Sequence, residues 1–559
     1  MSGAVQTGWR DCWTYPNLWE AICAAQPDAP AIIQSGRVLT YGALDAAADA
    51  LARRLLEAGL GHQSKVAIYT PNRPEYLVAF LAAFKAGLCP SNVNYRYGAK
   101  EVAQLLDNGD AEAAVFDAAY LDLVAEVRPQ APRVRFWIAI EPGPGALPEG
   151  IEDYAEVVSA VPGERPTVAP WGRSEDDIML LFTGGTTGLP KGVMWRQGDM
   201  IGRFGYGSNP ALELGPLTHP SQAGARVLAH PDAIRSLICC PLMHGTGLIS
   251  SLSALNVGGT VILLPPGSFD AERLWDTAER EGATRITIVG QAFAQPMLAA
   301  LDAEPQRWNL ACVRMIGSSG TMWSRENKLG LLRHLPQAQM SDSFSSSEAF
   351  GMAQSITTVD GETATGRFQL TPTCAVFTED GRRVQPGSGE RGRVAIGGHI
   401  PLGYYKDPAK SAETFPVYEG ERWSVPGDWA TVEADGTIVI LGRGSQCINT
   451  GGEKVFPEEV EEVLKTHPRV LDAAVTGVPD PRFGERIVAL VHLHASGEDD
   501  EDVLRDHVRR NLAPYKAPRH VLAVPAITRL ADGKLDYQAW KAAARQRLAG
   551  EGVHIHDNP

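Results

Sequence analysis

Ten residues, Thr183-Gly184-Gly185-Thr186-Thr187-Gly188-Leu189-Pro190-Lys191-Gly192, constrain this chain more than any other stretch. They follow a short apolar run, Ile178-Met179-Leu180-Leu181-Phe182, which reads as a buried strand ending at a loop. The glycines let the backbone turn sharply and bring its N–H groups against a ligand. Three threonine hydroxyls add donors, and Lys191 adds a positive charge that can reach a phosphate. Such a donor set after a strand suits a polyphosphate. A plain surface turn shares the glycine content but has no use for a lysine among so many donors. The loop is not a Walker A, because Pro190 precedes Lys191 and Gly192 follows it. Another nucleotide chemistry is implied.

The 559 residues exceed one ordinary domain and leave room for a large core. A net charge of −15 argues against a basic nucleic-acid face, although it leaves an anionic small substrate open. None of the 8 cysteines makes a C-x-x-C pair, so neither a disulfide framework nor a zinc site is expected. Met1 to Trp13 has no basic region followed by an apolar stretch, and no apolar run approaches the length of a membrane span. A cytoplasmic protein is expected.

The first third alternates short β-rich runs with helical periodicity. Ala31-Ile32-Ile33 and Val38-Leu39-Thr40-Tyr41 read as a hairpin, and Leu44, Ala48, Leu51 and Leu55 as a helix stripe stopped at Gly59. Tyr76, Phe80 and Phe84 form a second stripe, which is taken as core. This order predicts a layered α/β fold with a largely parallel sheet. Residues 141–173 and 202–235, rich in Gly and Pro, are expected to run over the surface. From about Asp380 short strands dominate, with Asp435-Gly436 as a hairpin turn. After Gly442-Arg443-Gly444-Ser445 a compact unit of helices and strands runs to the end, which places a boundary near 442–446 with Ser445 as hinge.

Six separate stretches then agree in order: Thr183–Gly192, Pro241-Leu242-Met243-His244, Phe344-Ser345-Ser346-Ser347-Glu348, Gly427-Asp428, Gly442-Arg443 and Gly533-Lys534. Together they resemble the acyl-adenylate-forming superfamily of acyl-CoA synthetases, peptide-synthetase adenylation domains and luciferases. The resemblance implies a large N-terminal domain, 1–442, of layered sheets and helices with a distorted β-barrel. A hinge at 443–446 and a small mobile α+β domain, 447–559, would follow. It implies ATP, Mg²⁺ and coenzyme A as substrates and activator, with no prosthetic group.

The resemblance also implies roles. Thr183, Gly184, Gly185, Thr186, Thr187, Gly188 and Lys191 would hold the phosphates that leave as pyrophosphate. Glu348 would bind Mg²⁺ and Ser347 the α-phosphate. Phe344, where the family usually has Tyr, would stack on adenine, and Asp342 would meet its amino group. Gly317-Ser318-Ser319 would line the adenine and acyl sites. Asp428 would accept from the ribose hydroxyls, with Arg443 nearby, and Lys534 would bridge the carboxylate and the α-phosphate. Gly451, Gly452 and Glu453 would line the coenzyme A tunnel.

No acidic residue stands in Met243-His244-Gly245-Thr246, where amino-acid-activating members keep one, so an acid without an α-amine is expected. The stretch from Lys534 to Pro559 is too short for a carrier domain, which makes free coenzyme A the expected thiol. The acyl pocket is expected to include His244, Gly245, Gln291, Phe293, Gly317, Phe350 and Met352, mostly small or apolar. Gly403-Tyr404-Tyr405-Lys406-Asp407 and the run through Gly451-Gly452-Glu453-Lys454-Val455 resemble bacterial fatty-acyl and sterol side-chain CoA synthetases. A bulky hydrophobic acid is therefore expected. An aryl or medium-chain acid is the alternative within the class; a luciferase-like oxygenase or a non-catalytic nucleotide binder is the alternative outside it. A homodimer is left open.

Overall fold

The computed structural model describes residues 9–159, 166–183, 190–231, 234–320, 323–361, 367–443, 446, 448–450, 453–480, 484–494, 500–512, 514–530 and 534–550. Strand–helix alternation in the first third builds an 8-stranded sheet. Its strands Ile178–Thr183, Cys89–Asn92, Lys65–Tyr69, Ala111–Asp117, Phe136–Ile140 and Ile151–Asp153 are parallel neighbours in that order. Parallel strands carry apolar side chains on both faces, so both must be covered. Helices Ala99–Asn108 and Leu121–Val127 cover one face over Tyr69, Phe116 and Trp137. Helices Tyr15–Ala25, Tyr41–Glu57 and Pro74–Lys85 cover the other. The last is buried all round, because a second sheet lies beyond it. Tyr76, Phe80 and Phe84 are core, as their spacing predicts, with Phe80 and Phe84 edge to face at 5.1 Å.

The second sheet has 13 strands. One half is parallel: Pro30–Gln34, Thr260–Leu263, Arg235–Ile238, Arg285–Ile288, Met315–Ser319 and Gln339–Ser346. The strand Arg37–Thr40 closes its edge as the expected hairpin. The other half continues antiparallel from Ala349–Thr357 to Cys374–Phe377, where the resemblance implied a distorted barrel. Alternation along each strand gives the two faces different partners. Leu237, Ile286, Ile288, Ile316 and Met340 pack under helices Ala271–Arg280, Gln291–Ala303 and Arg325–His334. On the opposite face the helix Gly245–Leu255 covers only the strands Arg235–Ile238, Thr260–Leu263 and Arg285–Ile288. Past them the sheet face opens into a cavity.

Residues 448–524 contribute a separate 5-stranded sheet. Helices Pro457–Lys465 and Asp500–Asn511 pack on one face, and Tyr537–Gly550 on the other. Gly442, just ahead of this unit, has φ +125, and a Cβ built there would fall inside the Glu458 carboxylate. Among the described residues no helix is long and apolar enough to cross a membrane.

Two expectations are corrected. Residues 141–173 are not a surface run: Ile151–Asp153 joins the parallel sheet, and Tyr154–Ser159 is a helix with Tyr154 and Val157 buried. Arg173 is buried and donates to Asn17 and Glu20. Residues 202–235 are not a surface excursion either. Their helix Gln222–Ala229 packs on Tyr15–Ala25, and Gly202 to Pro210 form part of the cavity wall. Composition misleads here because a loop lining an internal space needs the same small residues as an exposed one.

Candidate active site

The strand Ile178–Thr183 turns back antiparallel as Lys191–Arg196, with Thr183 opposite Lys191 at the base of the hairpin. Gly184, Gly185, Thr186, Thr187 and Gly188 lie outside the described residues. The hairpin base is fixed by Asn92, which receives the Phe182 N–H at 2.7 Å and donates to the Phe182 carbonyl at 3.0 Å. The same amide donates to the Met243 carbonyl at 2.7 Å, so one buried side chain ties the hairpin to the loop before the helix Gly245–Leu255. Each such hydrogen bond contributes about 1 kcal/mol, and more is lost if a buried partner is stranded.

Lys191 Nζ lies 2.6 Å from Asp407 Oδ2 and 5.6 Å from the Tyr404 ring centroid. The Lys191 ammonium holds the Asp407 carboxyl below its ordinary range. Asp407 also caps the helix Pro408–Thr414 by accepting from the Lys410 N–H. Tyr404 donates its hydroxyl to Glu348 Oε1 at 2.8 Å. Glu348 sits in the turn between Gln339–Ser346 and Ala349–Thr357, and its carbonyl accepts from Ser424 Oγ at 2.7 Å. Trp195 donates to the Ser347 carbonyl and stacks on Phe350 at 4.5 Å with the rings 8° apart. Lysine, carboxylate and Ser347 are thus fixed to one another from three strands.

Ser345 stands in a β-bulge, receives the Gly351 N–H and lies 3.1 Å from Ser343 Oγ. Its hydroxyl thereby replaces the freedom that glycine gives other family members. Phe344 is partly exposed against Phe368. Asp342 is drawn into a buried ion pair with Lys328, and burial pushes its carboxyl up to about 6 in spite of that partner. Asp428 begins the strand Asp428–Val432, is buried, and pairs in register with Arg443. The Arg443 side chain, Gly451, Gly452, the Glu453 side chain and Ser445 lie outside the described residues.

One cavity of about 2310 Å³ joins these groups. Thr183, Lys191, Glu348 and Asp428 reach it from the two large sheets, and Lys534 reaches it from the unit that carries the third. Gly317, Ser318, Ser319, Asp342, Phe344 and Ser347 also line it. From there it continues along the helix Gly245–Leu255. Thr246, Ile249, Ser250 and Ser253 on that helix, and Val257 just past it, are partly exposed and line the cavity, whereas Leu248, Ser251, Leu252 and Leu255 are buried on the other side. Its N-terminus, capped by His244, points toward Ser347: a Cβ on Gly245 would sit 4.0 Å from Ser347 Oγ. The positive end of a helix dipole suits anionic chemistry there.

Of the expected acyl-pocket residues, His244, Gly245, Phe293, Gly317 and Phe350 are in the wall. Gln291 and Met352 are not. The Gln291 amide turns to cap the Ser324 N–H, and Met352 is fully buried in the core. Asn92, Tyr404 and the 202–210 loop went unassigned from sequence. An Asn closing the apolar run Cys89–Asn92 was the one available signal.

Among the described residues no group of three or more His, Cys, Asp or Glu side chains is placed to hold a metal. Glu348 alone offers a carboxylate at the cavity beside Lys191. That donor set fits Mg²⁺, which binds through one or two carboxylates together with substrate phosphates rather than in an all-protein cage.

The sequence profile of the AMP-binding enzyme family matches residues 19–405, and that of its C-terminal domain matches 459–534. The chain belongs to the AMP-binding enzyme family. This AMP-binding enzyme is 40% identical over 550 residues to the medium/long-chain-fatty-acid–CoA/3-oxocholest-4-en-26-oate–CoA ligase of Mycolicibacterium smegmatis, covering 97% of this chain and 98% of that one. It is 40% identical over 537 residues to the 3-oxocholest-4-en-26-oate–CoA ligase of Rhodococcus rhodochrous, covering 94% and 95%. Its fold matches the crystal structure of the anthranilate CoA ligase AuaEII in complex with anthranoyl-AMP, with a TM-score of 0.80 at 22% identity over 96% and 98% of the two chains.

Proposed function

We propose that this AMP-binding enzyme is an ATP-dependent acyl-CoA synthetase that activates a bulky hydrophobic carboxylic acid, of the long-chain fatty or steroid side-chain kind. One observation carries the reading: Lys191, Glu348, Asp428 and Lys534 meet at the mouth of a cavity that then follows the helix Gly245–Leu255 for its whole length. An 11-residue helix spans about 16 Å, room for a long chain or a fused-ring acid. The names of the relatives quoted above, at 40% identity over nearly full length, support the same class of acid.

In the first half-reaction an oxygen of the substrate carboxylate attacks the α-phosphorus of ATP and the bond to pyrophosphate breaks. Lys191 and Thr183 hold the leaving phosphates, Asp428 accepts from the ribose and Phe344 packs against the adenine. Lys534 steadies negative charge between the carboxylate and the α-phosphate. Mg²⁺, held by Glu348 and the phosphates, would neutralise charge on the leaving group. In the second half-reaction the coenzyme A thiol attacks the acyl carbon, the acyl–phosphate bond breaks and AMP leaves. Residues 447–559 would act as a lid turning at 443–446, withdrawing Lys534 so that the thiol can pass Gly451–Glu453.

The test is AMP release with ATP, Mg²⁺, coenzyme A and a panel of acids from C6 to C18 plus a steroid side-chain acid. Coenzyme A-dependent AMP with the longer or ring-bearing acids is expected, and Lys534→Ala should slow acyl-adenylate formation by roughly a hundredfold or more. AMP release from no acid, or an unaffected Lys534→Ala variant, overturns the reading.

A further inference from the structure

The deep end of the cavity is polar, although the acid proposed for it is not. Strand pairing sets Ser236, Arg285, Met315 and Gln339 side by side in one row across the large sheet. Thr287, Gly317 and Ser341 form the next row, and Ser319 and Ser343 the row after that, nearest the adenylate groups. All of them line the cavity. At about 3.3 Å per residue, Met315 and its neighbour Arg285 lie roughly 13 Å from Ser319. Gly317 between them carries no side chain, and only the Ile286 carbonyl, at 4.0 Å, comes near where a Cβ would sit, so the floor is open along that line.

Arg285 is partly buried there and, among the described residues, makes neither an ion pair nor a hydrogen bond. Burial alone pulls its pKa down, with no carboxylate close enough to raise it. The other arginine on the wall, Arg203, differs: it donates to the Gly397 and His399 carbonyls and to Thr373. A second polar group without a partner adjoins the same end. Asn209 is 7% exposed, lines the cavity, and its Oδ1 has no hydrogen-bond partner among the described residues. Its loop lies beside the end of the helix Gly245–Leu255, since Gly207 faces the Asn256 carbonyl. Buried polar groups are normally paired, and a guanidinium presents five N–H donors and no acceptor. A site that leaves such a group unpaired when empty favours a ligand that supplies the acceptor.

We propose that the far end of this cavity is a second recognition site, in which Arg285 donates to an oxygen acceptor at the end of the substrate remote from its activated carboxylate. The inference rests on the synthetase reading above and adds to it the substrate class: a bifunctional acid bearing a remote ketone, hydroxyl or second carboxylate. An extended chain advances about 1.2 Å per bond, so 13 Å corresponds to roughly eleven bonds. The acceptor therefore belongs about eleven carbons from the activated carboxylate.

The experiment compares kcat/KM for dodecanoate, 11-oxododecanoate and dodecanedioate in coenzyme A-dependent AMP release, using the full chain, Arg285→Met and Arg285→Lys. The wild type is expected to favour at least one oxygen-bearing acid over dodecanoate by about tenfold or more. A preference for the oxo acid marks a neutral acceptor, and one for the diacid an anionic acceptor. In Arg285→Met the ratio should fall to about one, and Arg285→Lys should keep part of it, with thermal unfolding checking that both variants fold. A wild-type ratio near one, or a ratio that survives in Arg285→Met, overturns the proposal while leaving the synthetase reading standing. Turnover of none of the acids overturns both.

Discussion

Replacing Ser253 by Trp should shorten the range of acids that the enzyme accepts. Ser253 projects from the cavity side of the helix Gly245–Leu255, eight residues beyond the Gly245 end that faces Ser347. Eight residues correspond to about 12 Å, and at about 1.2 Å per bond to roughly ten carbons of extended chain. An indole at that point closes the cavity to whatever lies further in. Octanoate stops short of the obstruction, so its kcat/KM should change little, which also shows that the variant folds. Palmitate would have about six methylenes denied burial, each worth roughly 0.8 kcal/mol. The sum, about 5 kcal/mol, corresponds to a loss of a few thousandfold in kcat/KM. The assay is coenzyme A-dependent AMP release across even-numbered acids from C6 to C18, with Ser253→Ala as the size control. Equal losses for octanoate and palmitate, or no loss for palmitate, would refute the assignment of this helix as the acyl wall.

Tyr404→Phe removes the hydrogen bond to Glu348 Oε1 while keeping the ring, and should raise the KM for Mg·ATP by about tenfold with little change in the KM for the acid; equal effects on both would count against the placement of Glu348 at the phosphates. Gly442→Ala should lower stability by about 2 kcal/mol or more, because its φ of +125 and the crowding by Glu458 act together. Thermal unfolding of Gly442→Ala/Glu458→Ala should recover the crowding part only, and full recovery would show that φ costs nothing there. Burial pushes Glu461 up to about 8 from an ordinary 4.5, a pKa raised by folding. Its contribution to stability is therefore whole below about pH 4.5 and is lost as pH rises through about 8. Against Glu461→Gln, the wild type should lose melting temperature steadily between about pH 5 and 9, and parallel profiles would refute this.

The sequence was most legible where one short stretch carries both local structure and chemistry. The apolar run Ile178–Phe182, the Asp435-Gly436 turn and the stripe through Tyr76, Phe80 and Phe84 each declare their element through periodicity or turn chemistry, and each is found as read. The cavity wall was harder because its residues are chosen for the space they leave. Thr246, Ser250 and Ser253 recur at helical spacing, but small polar residues leave little periodic signal when the opposite side of the helix is core. Gly202 to Pro210 read as surface for the same reason. Gln291 and Met352 failed as pocket residues because being near the right loop does not decide which way a side chain turns. Arg285 was invisible until strand register placed it in a row with Ser236 and Gln339.

Asn92 receives from and donates to Phe182, at the root of the phosphate hairpin, and donates to Met243, at the threshold of the acyl helix. One rigid side chain thus belongs to the walls of two substrate sites, and a shift of either wall strains the same three hydrogen bonds. Two ligands that share such a strut do not bind independently. If a long acid settles Met243 and so tightens the grip on ATP by some factor, thermodynamic linkage requires ATP to tighten the grip on the acid by that same factor. Each substrate then reports on the other's presence, and an enzyme holding only one of them is the weaker binder of both.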